Sequence, residues 1–253
     1  MYQGIAEELA ENFRENPLDY VAEADLQISL VELLRSRLSP PTSVADGISL
    51  EGVGDDSFKR EYPQTIERKL TQNGQLNRVH AEVSVKKGER LDAAVFRHEL
   101  TEDIRWVSGG SKRFSEGDIE AAYELKFVKN KTSFPKHPGN SVDELAEDEP
   151  SVEGILQREG SDDPLLDFDE NKIRADIREL NELQEVENRF LLIFSNNNYL
   201  YHNPTPMEKS SYRYGEVYHK MGRAARRWMK REANDPVGIL YVHPRGQTWI
   251  SEQ

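Results

Sequence analysis

Five leucines set the clearest period in this chain. Leu26, Leu30, Leu33, Leu34 and Leu38 recur three and four residues apart, as on one face of a helix. They predict a helix over residues 21–38, stopped by Pro40 and Pro41. Residues 39–56 are rich in Pro, Gly, Ser and Asp and read as loop, and residues 57–70 leave room for a short helix interrupted near Pro63. The period then drops to two. Val79, Ala81, Val83 and Val85 alternate with polar neighbours, which predicts a half-buried strand over 78–85. Lys86-Lys87-Gly88-Glu89 reads as a turn, so residues 78–96 form a β-hairpin. A polar excursion over 97–118, with Gly109-Gly110, leads into an apolar run, Ala121 to Val128, that reads as a further strand.

Residues 130–169 are rich in Pro, Gly and acids and show little periodicity, so they read as an insertion within a single domain spanning 1–253. Beyond it, Ile173, Ile177, Leu180 and Leu183 mark a second helix over 172–187. Residues 190–194 form a buried strand ended by Asn196-Asn197-Asn198. A basic helix over 210–233, a strand over 237–242 and a short strand around Trp249 complete the order. The elements run α-β-β-β-α-β, then α-β, which is an α/β class with no internal repeat.

Composition narrows the setting. The chain of 253 residues has no cysteine, which excludes disulfides and thiolate zinc sites and points to the cytoplasm. Its acidic, mostly polar first residues are unlike a targeting peptide, and no apolar run approaches the roughly 18 residues of a membrane helix. No membrane partner is expected. The formal charge of −13 is unevenly placed. Residues 141–170 hold twelve acids and one base, Arg158, leaving the remainder near neutral and able to bind polyanions through local patches. Thirty Glu and sixteen Asp, with more Arg than Lys, hint at a salt-adapted source.

The candidate chemistry lies where charges enter apolar runs. Arg90-Leu91-Asp92-Ala93-Ala94-Val95-Phe96 and Ala121-Ala122-Tyr123-Glu124-Leu125-Lys126-Phe127-Val128 both read as strands, and desolvating an unpaired charge in such a setting is costly. Glu124 and Lys126 share a strand face, about 7 Å apart. If the two strands are neighbours, Asp92 joins them, and two hard oxygen ligands and an ammonium then surround one point, which suits Mg²⁺ and a phosphate.

Asp92 followed by Glu124-Leu125-Lys126 resembles the D…ExK signature of the PD-(D/E)XK nuclease superfamily. The surrounding order (helix, hairpin with the Asp, ExK strand, helix, strand) resembles its restriction-endonuclease-like fold. That resemblance implies an αβββαβ core with a central mixed sheet flanked by helices, here with an additional C-terminal α-β unit. It implies Mg²⁺- or Mn²⁺-dependent phosphodiester hydrolysis, with DNA the expected substrate and RNA the alternative. Asp92, Glu124 and the Leu125 carbonyl would hold metal, and Lys126 would orient the attacking water and stabilise transition-state charge. Two departures stand out: Leu91 replaces the Pro of the family name, and the Asp92–Glu124 gap is longer than usual.

Each residue also has a plainer reading. Lys126 could form an ordinary salt bridge with either acid. Glu23 lies near the helix position where the family often carries an extra acid, with Glu32 as competitor, and both suit a helix surface. Glu82 and His80 lie on the polar side of the strand before Asp92, and the sequence leaves open whether that side shares the face of Asp92. Lys220, Arg223, Arg227 and Lys230 make one basic stripe beside Tyr218, Met221, Ala225 and Trp228, fit either for a phosphate backbone or for the chain's own acidic segment. Lys172 and Arg174 begin the helix that faces substrate in the family, or are ordinary helix polarity. Gly109-Gly110-Ser111-Lys112-Arg113 lacks P-loop spacing, and no HExxH, GxSxG or His/Cys zinc pattern is present. Two alternatives remain open: a non-catalytic binding module of the same fold with a protein or nucleic-acid partner, and a homodimer.

Overall fold

The computed structural model describes residues 1–45, 48, 50–51, 74–85, 90–106, 112–128, 170–196, 198, 200, 226, 229–233 and 237–251. It is an α/β protein with mixed β-sheets and accompanying helices, and its chain divides into two units. The first comprises Met1–Leu9, Tyr20–Leu125 and Glu182–Phe190; the second comprises Ala10–Asp19, Lys126–Asn181 and Leu191–Gln253.

The chain opens with a helix, α1 (Tyr2–Glu15), which the sequence reading left as polar N-terminus. Tyr2, Ile5, Ala6, Leu9, Ala10 and Phe13 are its buried positions. Two of these six are alanines, so the stripe carries little hydrophobic mass and is easily passed over. The second helix, α2 (Glu23–Arg37), is the leucine-marked one, shorter than expected by two residues at its start and one at its end. Asp25 fixes the start: its Oδ2 accepts hydrogen bonds from the Val21 and Ala22 backbone N–H groups at 2.8 and 2.7 Å. The last turn closes with Leu38 N–H donating to the Leu34 carbonyl at 2.9 Å.

In the first unit, β1 (Thr42–Val44) lies antiparallel to β3 (Gln75–Leu76) and parallel to β6 (Glu99–Leu100) in a small sheet. The larger sheet contains β2 (Leu50–Glu51), β4 (Val79–Ser84), β5 (Arg90–Phe96), β7 (Ile104–Trp106), β8 (Lys112–Arg113) and β9 (Ile119–Val128). Their order is β9-β5-β4-β8-β7-β2. The segments read as loop and polar excursion therefore contribute short strands, too brief to show a period. The expected hairpin is present: β4 and β5 are antiparallel, with Val79 opposite Val95 and Val83 opposite Leu91. Its turn, residues 86–89, lies outside the described residues.

Strand β5 also pairs antiparallel with β9, placing Ala93 opposite Tyr123 and Ala94 opposite Ala122. The strand adjacency that the long gap left open is thus present. A buried anchor ties this unit together. Arg78 donates to the Phe96 carbonyl at 2.9 Å and to the Tyr2 hydroxyl at 3.3 Å, and pairs with Glu120. Burial and Glu120 push the Tyr2 hydroxyl above its ordinary range. Burial alone would raise Glu120, but hydrogen bonds from Tyr2 and Arg78, with the Arg78 charge, outweigh it and hold the carboxyl below its usual value.

The helix over 172–187 is observed as α3 (Glu170–Glu182), which lies in the second unit up to Asn181. It ends earlier than expected because the chain turns at Leu183 to Val186, where Val186 N–H donates to the Leu183 carbonyl and both side chains are buried. Strand β10 (Asn188–Ser195) extends the predicted run at both ends, and β11 (Val237–His243) and β12 (Gly246–Ser251) form a hairpin beside it. Phe13 meets Phe194 edge-on at 5.2 Å and Phe127 at 6.1 Å. Among the described residues, no helix is long and apolar enough to cross a membrane.

Candidate active site

Asp92 and Glu124 lie on neighbouring strands, β5 and β9. The observed register ends at Ala93–Tyr123, one residue short of Asp92 and Glu124; continued by one step it would set the two opposite each other, and directly opposed side chains share a face. Asp92 Oδ2 accepts the Leu125 backbone N–H at 2.7 Å, which fixes one carboxylate oxygen against β9 although the two residues are 33 apart in sequence. Glu124 is 3% exposed. The donor set of two carboxylates and the Leu125 carbonyl is all oxygen, as Mg²⁺ and Mn²⁺ prefer. Among the described residues, no group of three or more His, Cys, Asp or Glu is gathered that could hold a metal ion.

Helix α2 buttresses this face. Gln27 Nε2 donates to the Asp92 carbonyl at 2.8 Å and to Glu82 Oε1 at 3.0 Å. Glu23 lies one helical turn before Gln27 and is partly buried, whereas Glu32 is exposed. Of the two helix acids, Glu23 therefore shares the side of the helix that touches Asp92. The β4–β5 register also places His80 opposite Ala94, on the face of Asp92. His80 Nε2 lies 2.8 Å from the Asn77 carbonyl, its ring packs near Phe96, and burial pushes its pKa below the ordinary value.

Lys126 follows Leu125 on β9, and its partner is one the sequence reading did not name. Within the second unit, Lys126 Nζ is 3.1 Å from Asp176 Oδ2 on α3, with side chains only 13% and 10% exposed. Asp176 adjoins the inward Ile177 at the edge of the apolar stripe, and that flank position was its one signal. Gln27 likewise sits beside Leu26, one turn from Glu23.

The nucleic-acid candidates are placed less fully. Lys230 is exposed on a helical turn with buried Met229, while Lys220, Arg223 and Arg227, like the acidic segment 130–169, lie outside the described residues. Lys172 belongs to α3, but its side chain is outside the description. A polar cavity of about 700 Å³ in the first unit, lined by Thr101, Glu102, Arg105, Arg113, Ser115 and Glu185 among others, includes none of the candidate residues. Comparison of the chain with protein-family models, curated proteins and solved structures gives no match.

Proposed function

We propose that this chain is a Mg²⁺- or Mn²⁺-dependent nuclease of PD-(D/E)XK type, with a restriction-endonuclease-like core, that hydrolyses phosphodiester bonds in DNA. The observation that carries this reading is that Asp92 and the buried Glu124 lie on neighbouring strands, with Asp92 accepting the N–H of Leu125, the residue after Glu124. Asp92, Glu124 and the Leu125 carbonyl would hold the ion. When bound, the metal supplies Lewis-acid polarisation of the phosphate and lowers the pKa of a bound water. Lys126, two residues from Glu124 on one strand, contributes a fixed positive charge for the attacking water and the developing phosphorane charge. Glu23, on the side of α2 that meets Asp92, is the further acid at this end. The basic residues Lys220, Arg223, Arg227, Lys230 and Lys172 would hold the backbone.

The test is cleavage of fluorescent single-stranded, duplex and branched DNA, with RNA in parallel, with and without Mg²⁺ or Mn²⁺ at low and high salt. Metal-dependent cutting that is lost in Glu124→Ala and Lys126→Ala supports the reading. Wild-type cutting by a folded Asp92→Ala preparation sinks it.

One observation favours a second reading. The Lys126–Asp176 ion pair shows that the lysine has a structural use, as it would in a binding module that kept the fold without turnover. Thermal stabilisation by Mn²⁺ separates the two, because a module without a metal site gains none.

A further inference from the structure

Strand β4 carries a backbone irregularity directly across from Asp92. Phe96 N–H donates to the Arg78 carbonyl, so residues 78 and 96 form a hydrogen-bonded pair of the antiparallel ladder. Alternation makes 80 with 94, and 82 with 92, the next pairs of that kind. The observed register includes His80–Ala94, Ala81–Ala93 and Val83–Leu91 but omits Glu82–Asp92. Glu82 has φ 53°, the left-handed region that a non-glycine residue seldom occupies in a strand. At this same point Gln27 reaches in from α2, and one Nε2 serves both the Asp92 carbonyl and the Glu82 carboxylate. An amide nitrogen has two protons, so both bonds form at once.

Resting on the nuclease reading, we propose that Gln27 is a positioning residue for Asp92, and that the left-handed turn at Glu82 opens the ladder so that α2 rather than β4 sets the pose of Asp92. A regular strand would leave the Asp92 carbonyl to the Glu82 N–H, and the helix would lose its hold. With the turn in place, Asp92 is fixed from two directions: its carbonyl by Gln27 and its Oδ2 by the Leu125 N–H. Groups that orient a metal ligand in this manner typically matter about 10–100-fold for metal affinity.

Three variants test the proposal: Gln27→Met, which keeps size and removes the donor, and Glu82→Gly and Glu82→Val, which both remove the carboxylate. Only glycine accepts the left-handed backbone freely. Mn²⁺ affinity by calorimetry, cleavage kinetics and exchange of the Leu125 amide are read for each. Gln27→Met is expected to lower Mn²⁺ affinity about tenfold or more, to lower kcat with KM for DNA held, and to speed Leu125 exchange. Glu82→Val is expected to bind Mn²⁺ more weakly than Glu82→Gly. Wild-type affinity and wild-type Leu125 exchange in Gln27→Met overturn the role of Gln27. Equal Mn²⁺ affinity in the two Glu82 variants overturns the role of the turn, and that comparison stands even if Gln27→Met fails to fold. A wild type that neither binds Mn²⁺ nor cuts, while Leu125 exchange still depends on Gln27, refutes the nuclease reading and upholds the positioning of Asp92.

Discussion

Replacing Lys126 with Met removes a charge while keeping most of the side chain's volume, and it leaves Asp176 as a carboxylate 10% exposed without its cation at 3.1 Å. At that distance the pair attracts by about 5 kcal/mol at an effective dielectric near 20, before desolvation is subtracted. Removing one member of such a pair costs roughly 3–5 kcal/mol, because the survivor remains buried and charged, whereas replacing both with apolar groups of similar volume is close to neutral. The expectation is therefore a loss of about 3 kcal/mol or more for Lys126→Met and for Asp176→Leu. The double variant should lie within about 1–2 kcal/mol of wild type. Urea unfolding followed by circular dichroism, run as a double-mutant cycle, measures this directly. Single losses under about 1 kcal/mol, or additive losses in the double variant, would show that solvent screens the pair as it does at a surface. The cycle also separates stability from chemistry. The restored double variant should remain unable to cut DNA, because the proposed reaction needs the ammonium itself.

Glu124→Ala and Asp92→Ala should each reduce Mg²⁺-dependent cleavage by at least about a hundredfold, a loss of some 2.7 kcal/mol of transition-state stabilisation, with the far-ultraviolet dichroism of wild type. Glu120 sits below its ordinary carboxyl pKa in the fold, so the stability it contributes is present above the unfolded value and lost as pH falls through the folded one. Glu120→Gln should flatten that acid limb below about pH 4.5 in thermal melts, and an unchanged limb would disprove the assignment. Phe13→Ala should cost about 3–5 kcal/mol, since the ring is fully buried between Phe127 and Phe194. A change under about 1 kcal/mol in urea unfolding would mean that the surrounding side chains collapse into the space.

The elements that could be read from the sequence were those whose side chains carry a strong period. The leucines of α2, the alternating valines of β4 and the run Phe190 to Phe194 each appear where their spacing put them. Helix α1 was missed because its buried stripe is part alanine, and β1, β2, β6, β7 and β8 because two or three residues cannot display a period. At the candidate site, Asp92, Glu124 and Lys126 were legible as charges set among apolar neighbours. Gln27 and Asp176 were not, because each acts through a partner distant in sequence: 65 residues for Gln27 and Asp92, and an entire intervening segment for Lys126 and Asp176. The left-handed backbone at Glu82 had no signal at all, since glutamate is not a residue that advertises a positive φ.

The anchor built around Arg78 has a consequence for the order of events at the ribosome. The Tyr2 carbonyl accepts the Tyr123 hydroxyl across 121 residues, and the Tyr2 hydroxyl accepts Arg78 across 76. At about 5–20 residues per second, translation separates the first of these pairs by roughly 6–24 s. Throughout that interval the Tyr2 carbonyl lacks its buried partner on β9. Helix α1 is thus translated well before its last anchor, and a nascent chain halted before residue 123 would hold Tyr2 without it.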